Sequence, residues 1–548
     1  MKKDLLHTST ALEQPPVAGT PIRASLDPSR LIDRPIWAGI HLLVVVGLLL
    51  RLASALLSER INWYDEIYQY LEQAHRLVYG YGTVTWEYRY GIRNWLVPGV
   101  LAGVLEVLRQ LGAETPAQYA PAVRVVFAVL SLSAVYAIYL FARDVYSERV
   151  ARLSAVLVAC WYEMVYVSTI GTPEVFATYL LVVALALGVR PTTRRMVVCG
   201  LLLGLAVALR MHYAPFAITL LGWIALGGGR ARAALAAACA AGPVVAAGLL
   251  DAWTWGVPFS SFVLATKYNV LYGVSELFGV RSPFYFGWAL IVASLGMYGM
   301  AGVVGCIALR RNLLLLLIAS VVLPHSLLGH KEYRFITLAL PLLLVLLAYA
   351  ISLEWLGALR SAAPVAAGGG VAPTGDRLRP SSATLLVTAA VVSALGMAYA
   401  LPRQRAAYPN GAFDRNPTFL AQLDLSRREG VRAVAILHEP WYEAGGFNYL
   451  HRDVPLYDRD DLRRHGVALA DAVTHALARV GDPVPDGFVE RARYGDVVVY
   501  VAVDPHRPVR PVPVDTRNRR LAEVEDRFVP EVSPRFPGRP DRGVDRLP

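Results

Sequence analysis

Two adjacent carboxylates, Asp65 and Glu66, begin a polar stretch over residues 61–98 that directly follows the first strongly apolar run. Aromatic side chains are crowded along the same stretch. A carboxylate in such a position can act as a general base, taking the proton of a hydroxyl group as that hydroxyl attacks. The alternative is structural, because an acidic pair is also favoured at the start of a helix. The spacing alone leaves both interpretations open.

A second polar cluster, GHKEYRF at 329–335, separates two apolar runs. Within five residues it holds one acid and three potential cations, namely His330, Lys331, Glu332 and Arg334. The cluster precedes a predicted helix, whose first N–H groups attract anions. Lysine and arginine add charge, and arginine adds forked hydrogen bonds that suit phosphate. The pattern favours a phosphate or polar-ligand site over a loop in which Lys331 and Arg334 only reach the membrane interface.

The polar stretch 251–283 is rich in Trp and Tyr and contains Lys267 and Asn269. Aromatic residues of this kind form belts at membrane–water interfaces. The same residues could line a groove for a lipid-linked ligand. Both interpretations remain open from the sequence.

Arg210 and His212 interrupt an otherwise apolar run. Ionisable groups at membrane depth are costly, so they are expected to face a cavity or an opposite charge. Contact with a ligand is one interpretation. Pairing with an acid such as Glu163 or Glu174 is the other.

Membrane helices would have to position all of these residues. The chain has 548 residues, 55% of them hydrophobic, with a mean hydropathy of +0.43. Apolar runs of about 17–25 residues cross a bilayer as helices, and roughly eleven such runs recur. They lie at 36–57, 94–111, 120–142, 150–168, 173–189, 196–227, 233–250, 284–308, 312–328, 335–358 and 382–401. The sequence predicts an all-α polytopic membrane protein.

The distribution of basic residues predicts the orientation of the helices. Lysines and arginines precede the first apolar run, so we expect a cytoplasmic N-terminus. Basic residues in later loops are best accommodated if 196–227 forms two short helices broken at 210–212. Whether or not this run is broken, we expect loops 58–93, 251–283 and 329–334 to share the external face. One shared face supports a single site.

Changes in composition divide the chain into four regions. We predict a disordered cytoplasmic leader at 1–35, a transmembrane domain at 36–401, an external α/β domain at 402–504 and a disordered Pro/Arg-rich tail at 505–548. Within the α/β domain, 431–437 and 495–503 have strand patterns and 459–480 a helical pattern.

Some functional classes are disfavoured. The net charge of +11 is spread over the ends of apolar runs, so nucleic acid is not an expected partner. The four cysteines lie in apolar segments, and no His/Cys metal spacing, phosphate-binding loop or dinucleotide fingerprint is visible. No metal site is therefore predicted from the sequence.

The motifs at 65–93 and 330–335 resemble family 22 glycosyltransferases of the GT-C membrane superfamily, which includes dolichyl-phosphate-mannose-dependent α-mannosyltransferases of GPI-anchor and N-glycan assembly. The resemblance covers 40–350 and, loosely, 400–505. The sequence departs from the family pattern at three places. It has Trp63-Tyr64 where His-Pro is usual, Tyr333 where a second Glu is usual, and Asn94 where Ser is usual. The Arg-, Ala- and Gly-rich composition suggests a prokaryotic member.

The resemblance implies a GT-C fold with an active site at the external leaflet of the plasma membrane. It implies a polyprenyl-phosphate sugar donor, with mannose expected, and a glycan or glycolipid hydroxyl as acceptor. Asp65 would be the general base, with Glu66 as the neighbouring candidate, and the reaction would invert the anomeric centre. The implied partners are these two substrates and membrane lipids.

The resemblance also implies a set of residues that bind the donor and its leaving phosphate. These are His330, Lys331, Glu332, Arg334, Arg93, Arg210, Lys267 and Asn269. Protein cations can neutralise a monophosphate, so we expect a reaction without metal or other cofactor.

Two other functions compete with this interpretation. One is a GT-C transferase for a different sugar, of the arabinose or aminoarabinose type. The other is a transporter of lipid-linked sugars, although transporters tend to show internal repeats and polar residues at the midplane. This sequence shows no repeat, and its polar clusters gather at one face.

Overall fold

A computed structural model of the protein describes residues 35–60, 63–308, 312–361 and 415–513, together with Gly396. Apart from Pro35 and Gly396, the predicted leader and the last apolar run at 382–401 lie outside these ranges, as does the predicted tail beyond residue 513.

The described part of the chain up to residue 361 is helical. The α-helices are α1 Pro35–Leu57, α2 Glu72–Tyr79, α3 Trp86–Arg89, α4 Leu96–Gln110, α5 Pro116–Leu130, α6 Leu132–Val145, α7 Glu148–Cys160, α8 Tyr162–Val167, α9 Pro173–Gly188, α10 Thr193–Leu209, α11 Ala214–Ile224, α12 Arg230–Trp255, α13 Ser260–Thr266, α14 Tyr285–Ala293, α15 Met297–Ala308, α16 Leu313–Leu327 and α17 Ala339–Ser361. Short 3₁₀ segments occupy Met211–Tyr213, Val274–Phe278 and Tyr333–Ile336, and π-helical turns occupy Glu66–Leu71, Ala225–Gly229 and Lys267–Leu271.

Every predicted apolar run within the described ranges contains helix, but the number of membrane spans is not established. Three described helical stretches are long and apolar enough to cross a membrane, or four if one bent pair forms a single span. They are 40–57, 116–145 and 211–255. The prediction of about eleven spans and the orientation of the loops stay predictions.

Irregular points divide three predicted runs. The run at 150–168 breaks at Trp161, whose backbone is extended between α7 and α8. The run at 196–227 breaks at Arg210, which has extended backbone between α10 and the following 3₁₀ turn, as the sequence predicted. The run at 284–308 was predicted to be a single helix, but it bends by 116° between α14 and α15. The bend is possible because Leu295 and Gly296 adopt positive φ angles of 53° and 86°. Glycine reaches this region without penalty, whereas leucine there is unusual.

Residues 415–513, the described part of the C-terminal region, fold as a five-stranded mixed sheet with short helices. Its strands are β1 Val434–Ile436, β2 Leu456–Asp458, β3 His475–Arg479, β4 Phe488–Tyr494 and β5 Val497–Ala502, and its helices are α18 Pro417–Arg427, α19 Gly446–Leu450, α20 Arg459–Arg464 and α21 Leu469–Ala472, with a 3₁₀ turn at Trp441–Glu443. The strand order is β2-β1-β3-β5-β4, with β1 parallel to β2 and β3. Antiparallel pairs join β5 to β3 and β4.

One local prediction in this domain was wrong. The helical pattern predicted over 459–480 holds only for its first part, because β3 occupies the central position of the sheet. Four of the five residues of β3 are buried, as expected of a central strand. Short apolar runs do not distinguish a buried strand from a buried helix.

Candidate active site

A cavity of about 850 Å³ lies where the three predicted loops meet the C-terminal domain. Its wall includes seven residues that the sequence predicted for the site: Asp65, Arg93, Arg210, Asn269, His330, Glu332 and Arg334. These residues come from stretches that are far apart in the sequence. The fold therefore brings most of the predicted polar clusters to one place.

Arg334 joins the two main motifs. It lies in the 3₁₀ turn that precedes α17, and its side chain is only 4% exposed. Its Nη2 donates to Oδ2 of Asp65, and its Nε lies 2.6 Å from Oε2 of Glu332. The Asp65 side chain remains 30% exposed, toward the cavity. Arg334 thus fixes one carboxylate oxygen of Asp65 while the group stays accessible.

His330 and Glu332 form a second ion pair on the same wall. His330 Nε2 lies 3.0 Å from Oε1 of Glu332, and Nδ1 lies 2.9 Å from the carbonyl oxygen of Gly279. Burial lowers the pKa of His330, but the hydrogen bond and charge of Glu332 outweigh it and raise the pKa. Burial raises the pKa of Glu332, but the charge of Arg334 outweighs it and lowers the pKa. The arrangement favours a charged imidazolium.

Arg210 lies at the helix break between α10 and α11 and pairs with Glu174. Its Nη2 is 2.8 Å from Oε1 of Glu174 and also donates to the hydroxyl of Tyr70. Glu174, one of the two acids predicted as a partner of Arg210, therefore pairs with it. Glu163, the other candidate, accepts instead from Trp161 and Tyr333. Because Arg210 also lines the cavity, acid pairing and ligand contact are compatible.

Arg93 is held by a short polar chain in the first loop. Its Nε donates to Oε1 of Gln69 at 3.1 Å, and Gln69 Nε2 donates to Oε1 of Glu87 at 2.6 Å. All three residues line the cavity. Gln69 and Glu87 were not predicted as site residues, although both lie in the first motif.

Three predicted site residues do not line the cavity. Glu66 Oε1 accepts from the backbone N–H of Gly171 at 2.8 Å, beside a separate cavity of about 30 Å³. Lys331 Nζ donates to the carbonyl oxygens of Leu328 and, at 3.0 Å, Arg281. Lys267 Nζ lies 5.5 Å from the centre of the Tyr272 ring. Their roles in binding or catalysis stay predictions.

The C-terminal domain contributes cavity residues that the sequence did not reveal. Trp441, Tyr442 and Glu443 line the wall of the cavity. Tyr68 donates to the carbonyl oxygens of Trp441 and, at 2.9 Å, Ala444, which holds this turn against the first loop. No spacing in the sequence connects positions separated by more than 370 residues.

A family model described as "Alg9-like mannosyltransferase family" matches residues 42–450. The match covers the whole cavity wall and most of the described chain. The protein therefore belongs to the Alg9-like mannosyltransferase family, which confirms the predicted resemblance.

Individual relatives agree with this assignment. GPI mannosyltransferase 3 of Yarrowia lipolytica is 29% identical over 330 residues, which are 57% of this chain and 62% of that protein. Mannosyltransferase APTG1 of Arabidopsis thaliana is 26% identical over 336 residues, covering 55% of this chain and 57% of that protein. GPI alpha-1,2-mannosyltransferase 3 of Mus musculus is 28% identical over 337 residues, covering 57% and 58%. The matches thus span less than two thirds of these relatives.

The fold is similar to that of ArnT from Cupriavidus metallidurans, crystallised bound to undecaprenyl phosphate. The TM-score is 0.53 at 14% identity, and the match covers 86% of this chain and 99% of that chain. Similarity at this level establishes the fold alone. The predicted GT-C architecture with a small C-terminal sheet is therefore confirmed.

Proposed function

We propose that this protein is a membrane glycosyltransferase that moves mannose from a polyprenyl-phosphate donor to a hydroxyl of a glycan or glycolipid. The observation that supports the proposal is the Asp65–Arg334 pair on the wall of a large cavity, in a chain of the Alg9-like mannosyltransferase family. A base and a buried cation side by side are what transfer from a lipid phosphate requires.

Asp65 acts as the general base of the proposed reaction. It takes the proton of the acceptor hydroxyl as the oxygen attacks the anomeric carbon in line. A bond forms from the acceptor oxygen to that carbon, and the bond from the carbon to the phosphate oxygen breaks. The lipid phosphate leaves with the bonding electron pair. A single displacement inverts the centre, so a β-linked donor yields an α-linked product.

Arg334 and Arg210 stabilise the leaving phosphate. Arg334 Nη1 and Arg210 Nε are buried and have no hydrogen-bond partner among the described residues, although both side chains are otherwise paired. Guanidinium groups present several N–H donors in a plane, so one group can hold a carboxylate and still donate to phosphate. Arg93 adds positive charge to the same wall, and the raised pKa of His330 favours a further positive charge there.

The decisive experiment is transfer of labelled mannose from a synthetic polyprenyl-phosphate donor by detergent-purified protein, with membrane lipid extract as acceptor. We expect Asp65→Asn to lower kcat by at least about 10²-fold, because the amide cannot accept the proton. Glu66→Gln is the matched control and should keep most activity, since its carboxylate lies outside the cavity. Equal activity of Asp65→Asn and wild type would remove Asp65 from the mechanism.

A panel of arabinose and aminoarabinose donors in the same assay distinguishes mannose transfer from transfer of another sugar.

We also propose that the protein lies in the plasma membrane with its site on the external face. Sealed right-side-out vesicles should then form product from an impermeant acceptor added outside. Product formed only after the vesicles are opened would place the site on the inner face.

We propose that the reaction needs no divalent metal, because guanidinium groups can neutralise the departing monophosphate. Activity should be unchanged after exhaustive treatment with EDTA. Loss of activity that manganese restores would contradict this prediction.

A further inference from the structure

Two histidines, His212 and His325, form a pair on the cavity wall that the proposed chemistry does not use. His212 follows the break after α10, and His325 lies near the end of α16. Their rings are edge to face, with centres 4.8 Å apart. Helices that are distant in sequence therefore place two imidazoles side by side.

Both imidazoles have a buried nitrogen without a protein partner. Within the described part of the chain, Nε2 of His212 and Nε2 of His325 have no hydrogen-bond partner. His325 Nδ1 lies 2.6 Å from the carbonyl oxygen of Val321, which can only accept. Nδ1 of His325 is therefore the protonated nitrogen, and its Nε2 presents a lone pair. An unsatisfied polar atom of this kind calls for a donor from a ligand or water.

The pair lies beside the proposed reaction centre. The Phe335 ring is 6.0 Å from the His212 ring and 6.1 Å from the His325 ring. The guanidinium carbon of Arg334 lies 5.6 Å from the centre of the same ring, and Nη2 of Arg334 donates to Asp65. A group bound at the imidazoles is thus adjacent to the base and to the guanidinium that would hold the phosphate.

The hydrogen-bonding properties of the two imidazoles indicate which part of a lipid-linked sugar would bind to them. A polyprenyl chain offers no hydrogen-bond donor. Phosphate oxygens, being acceptors with negative charge, would meet the lone pair of His325 unfavourably. A sugar hydroxyl donates to such a nitrogen and satisfies it. The hydroxyls of the donor hexose are the remaining match.

We propose that His212 and His325 bind hydroxyl groups of the donor sugar and determine which hexose the enzyme accepts. The inference rests on the proposed function, since it assigns the sugar of the same donor to a particular wall. A site built to bond a hydroxyl discriminates strongly against an analogue that lacks it.

The test compares the binding of polyprenyl-phosphate mannose with the binding of polyprenyl phosphate that carries no sugar. Wild type should prefer the mannosylated lipid, and His325→Phe and His212→Phe should each lose about tenfold of that preference. Affinity for the sugar-free lipid should not change. Ser326→Ala is the matched control on α16, because its hydroxyl only donates to Val322 within the helix. It should bind both lipids as wild type does.

Deoxy-mannose donors sharpen the comparison. One monodeoxy donor should bind wild type more weakly than the complete mannose donor does. The same two donors should bind His325→Phe with equal affinity, because the hydroxyl missing from the donor is the partner of the nitrogen missing from the variant. His325→Gln restores an acceptor and should restore part of the preference. Full wild-type preference in both Phe variants would overturn the inference and would mean that the nitrogens bind only water. An equal loss of affinity for both lipids would overturn it as well.

These outcomes remain separate from the fate of the proposed function. If wild type binds the mannosylated lipid preferentially but transfers no mannose, the function fails while the sugar site stands. If wild type transfers mannose and the Phe variants keep the preference, the sugar site fails while the function stands.

Discussion

Arg334 determines where the proposed base lies. It is buried, and buried charges are tolerated only when they are paired and hydrogen-bonded. Its partners are Asp65, at the start of the first loop, and Glu332, two residues upstream. A planar guanidinium can serve both carboxylates and still keep Nη1 free of protein partners among the described residues. A lysine ammonium is a single point charge and cannot cover the same geometry.

The substitution Arg334→Lys should therefore lower kcat by about 10²-fold or more, comparable to the loss of one electrostatic donor at a reaction centre. Lys331→Gln should affect thermal stability more than kcat, because Lys331 does not line the cavity and its ammonium binds the backbone carbonyls of Leu328 and Arg281. Steady-state kinetics and thermal unfolding of the two variants, measured side by side, check both expectations. A smaller loss of kcat for Arg334→Lys than for Lys331→Gln would show that Lys331, and not Arg334, stabilises the leaving phosphate.

The sequence indicated which residues form this polar cluster, but not which way each side chain points. The density of charge at 330–334 correctly indicated a polar cluster, but it did not distinguish Lys331 from its neighbours. Glu332 has extended backbone, with φ −125° and ψ 144°. In extended chain, successive side chains point to opposite sides. His330 and Glu332 therefore face the cavity, and Lys331 faces away from it.

Helices α10 and α12 approach so closely that glycine is required between them. A Cβ atom on Gly204 would lie 2.1 Å from the carbonyl oxygen of Ala240, and one on Gly200 would lie 2.2 Å from that of Ala236. Small residues four apart on both helices allow this contact, as is common between membrane helices. Since α10 ends at Leu209 and is followed directly by Arg210 and His212, its position also determines that of the cavity wall.

Gly204→Ala should destabilise the protein by about 1–3 kcal/mol, because the new methyl group must displace backbone of α12. Gly103→Ala is the matched control. Gly103 lies within α4, and no atom of the described residues outside that helix lies within 4 Å of the place its new methyl group would take. This change should therefore be neutral or stabilising by up to about 1 kcal/mol. Thermal unfolding in one detergent gives the comparison. Equal melting temperatures for the two variants would mean that α10 and α12 can separate without cost.

Helix positions were predicted well, and their irregularities only in part. The break at Arg210 was foreseen because charged residues interrupt an apolar run. The bend at Leu295 was not, because leucine carries no signal for a positive φ angle. The close contact of α10 and α12 was missed, although the spacing of Gly200 and Gly204 was visible. Apolar composition identifies a helix but says little about its neighbours.

The C-terminal domain docks onto the first loop through the carboxylate of Glu72. Glu72 Oε1 accepts from the backbone N–H groups of Thr83 at 2.9 Å and Phe447 at 3.2 Å, and Oε2 accepts from that of Asn448 at 2.8 Å. His75 Nε2 lies 3.0 Å from Nδ1 of His451 in the same interface. Contacts across about 375 residues hold the turn at 441–443 against the cavity. Such long-range pairing has no local sequence signal.

The docking contact should make stability depend on pH. Burial raises the pKa of Glu72 to about 7, although the three backbone N–H groups partly oppose this. The unfolded chain has the ordinary glutamate pKa, so the folded state binds the proton more tightly. The stability from Glu72 is therefore full below its unfolded pKa of about 4.5 and is lost as pH rises from there to about 7, by roughly 3 kcal/mol in total.

The measurement is the melting temperature of wild type and Glu72→Gln between pH 5 and pH 8. His75 and His451 have lowered pKa values and act in the opposite direction, but they are present in both proteins, so the difference between the two curves isolates Glu72. Wild type should lose stability relative to Glu72→Gln as pH rises. Glu490→Gln is the control, because this carboxylate is 44% exposed and pairs with Arg493 on the same strand, β4, so its curve should follow that of wild type. Parallel curves for wild type and Glu72→Gln would mean that the three N–H donors keep Glu72 ionised throughout. The domain would then be held over the cavity by a permanent charge, and its docking would be independent of the proton at this position.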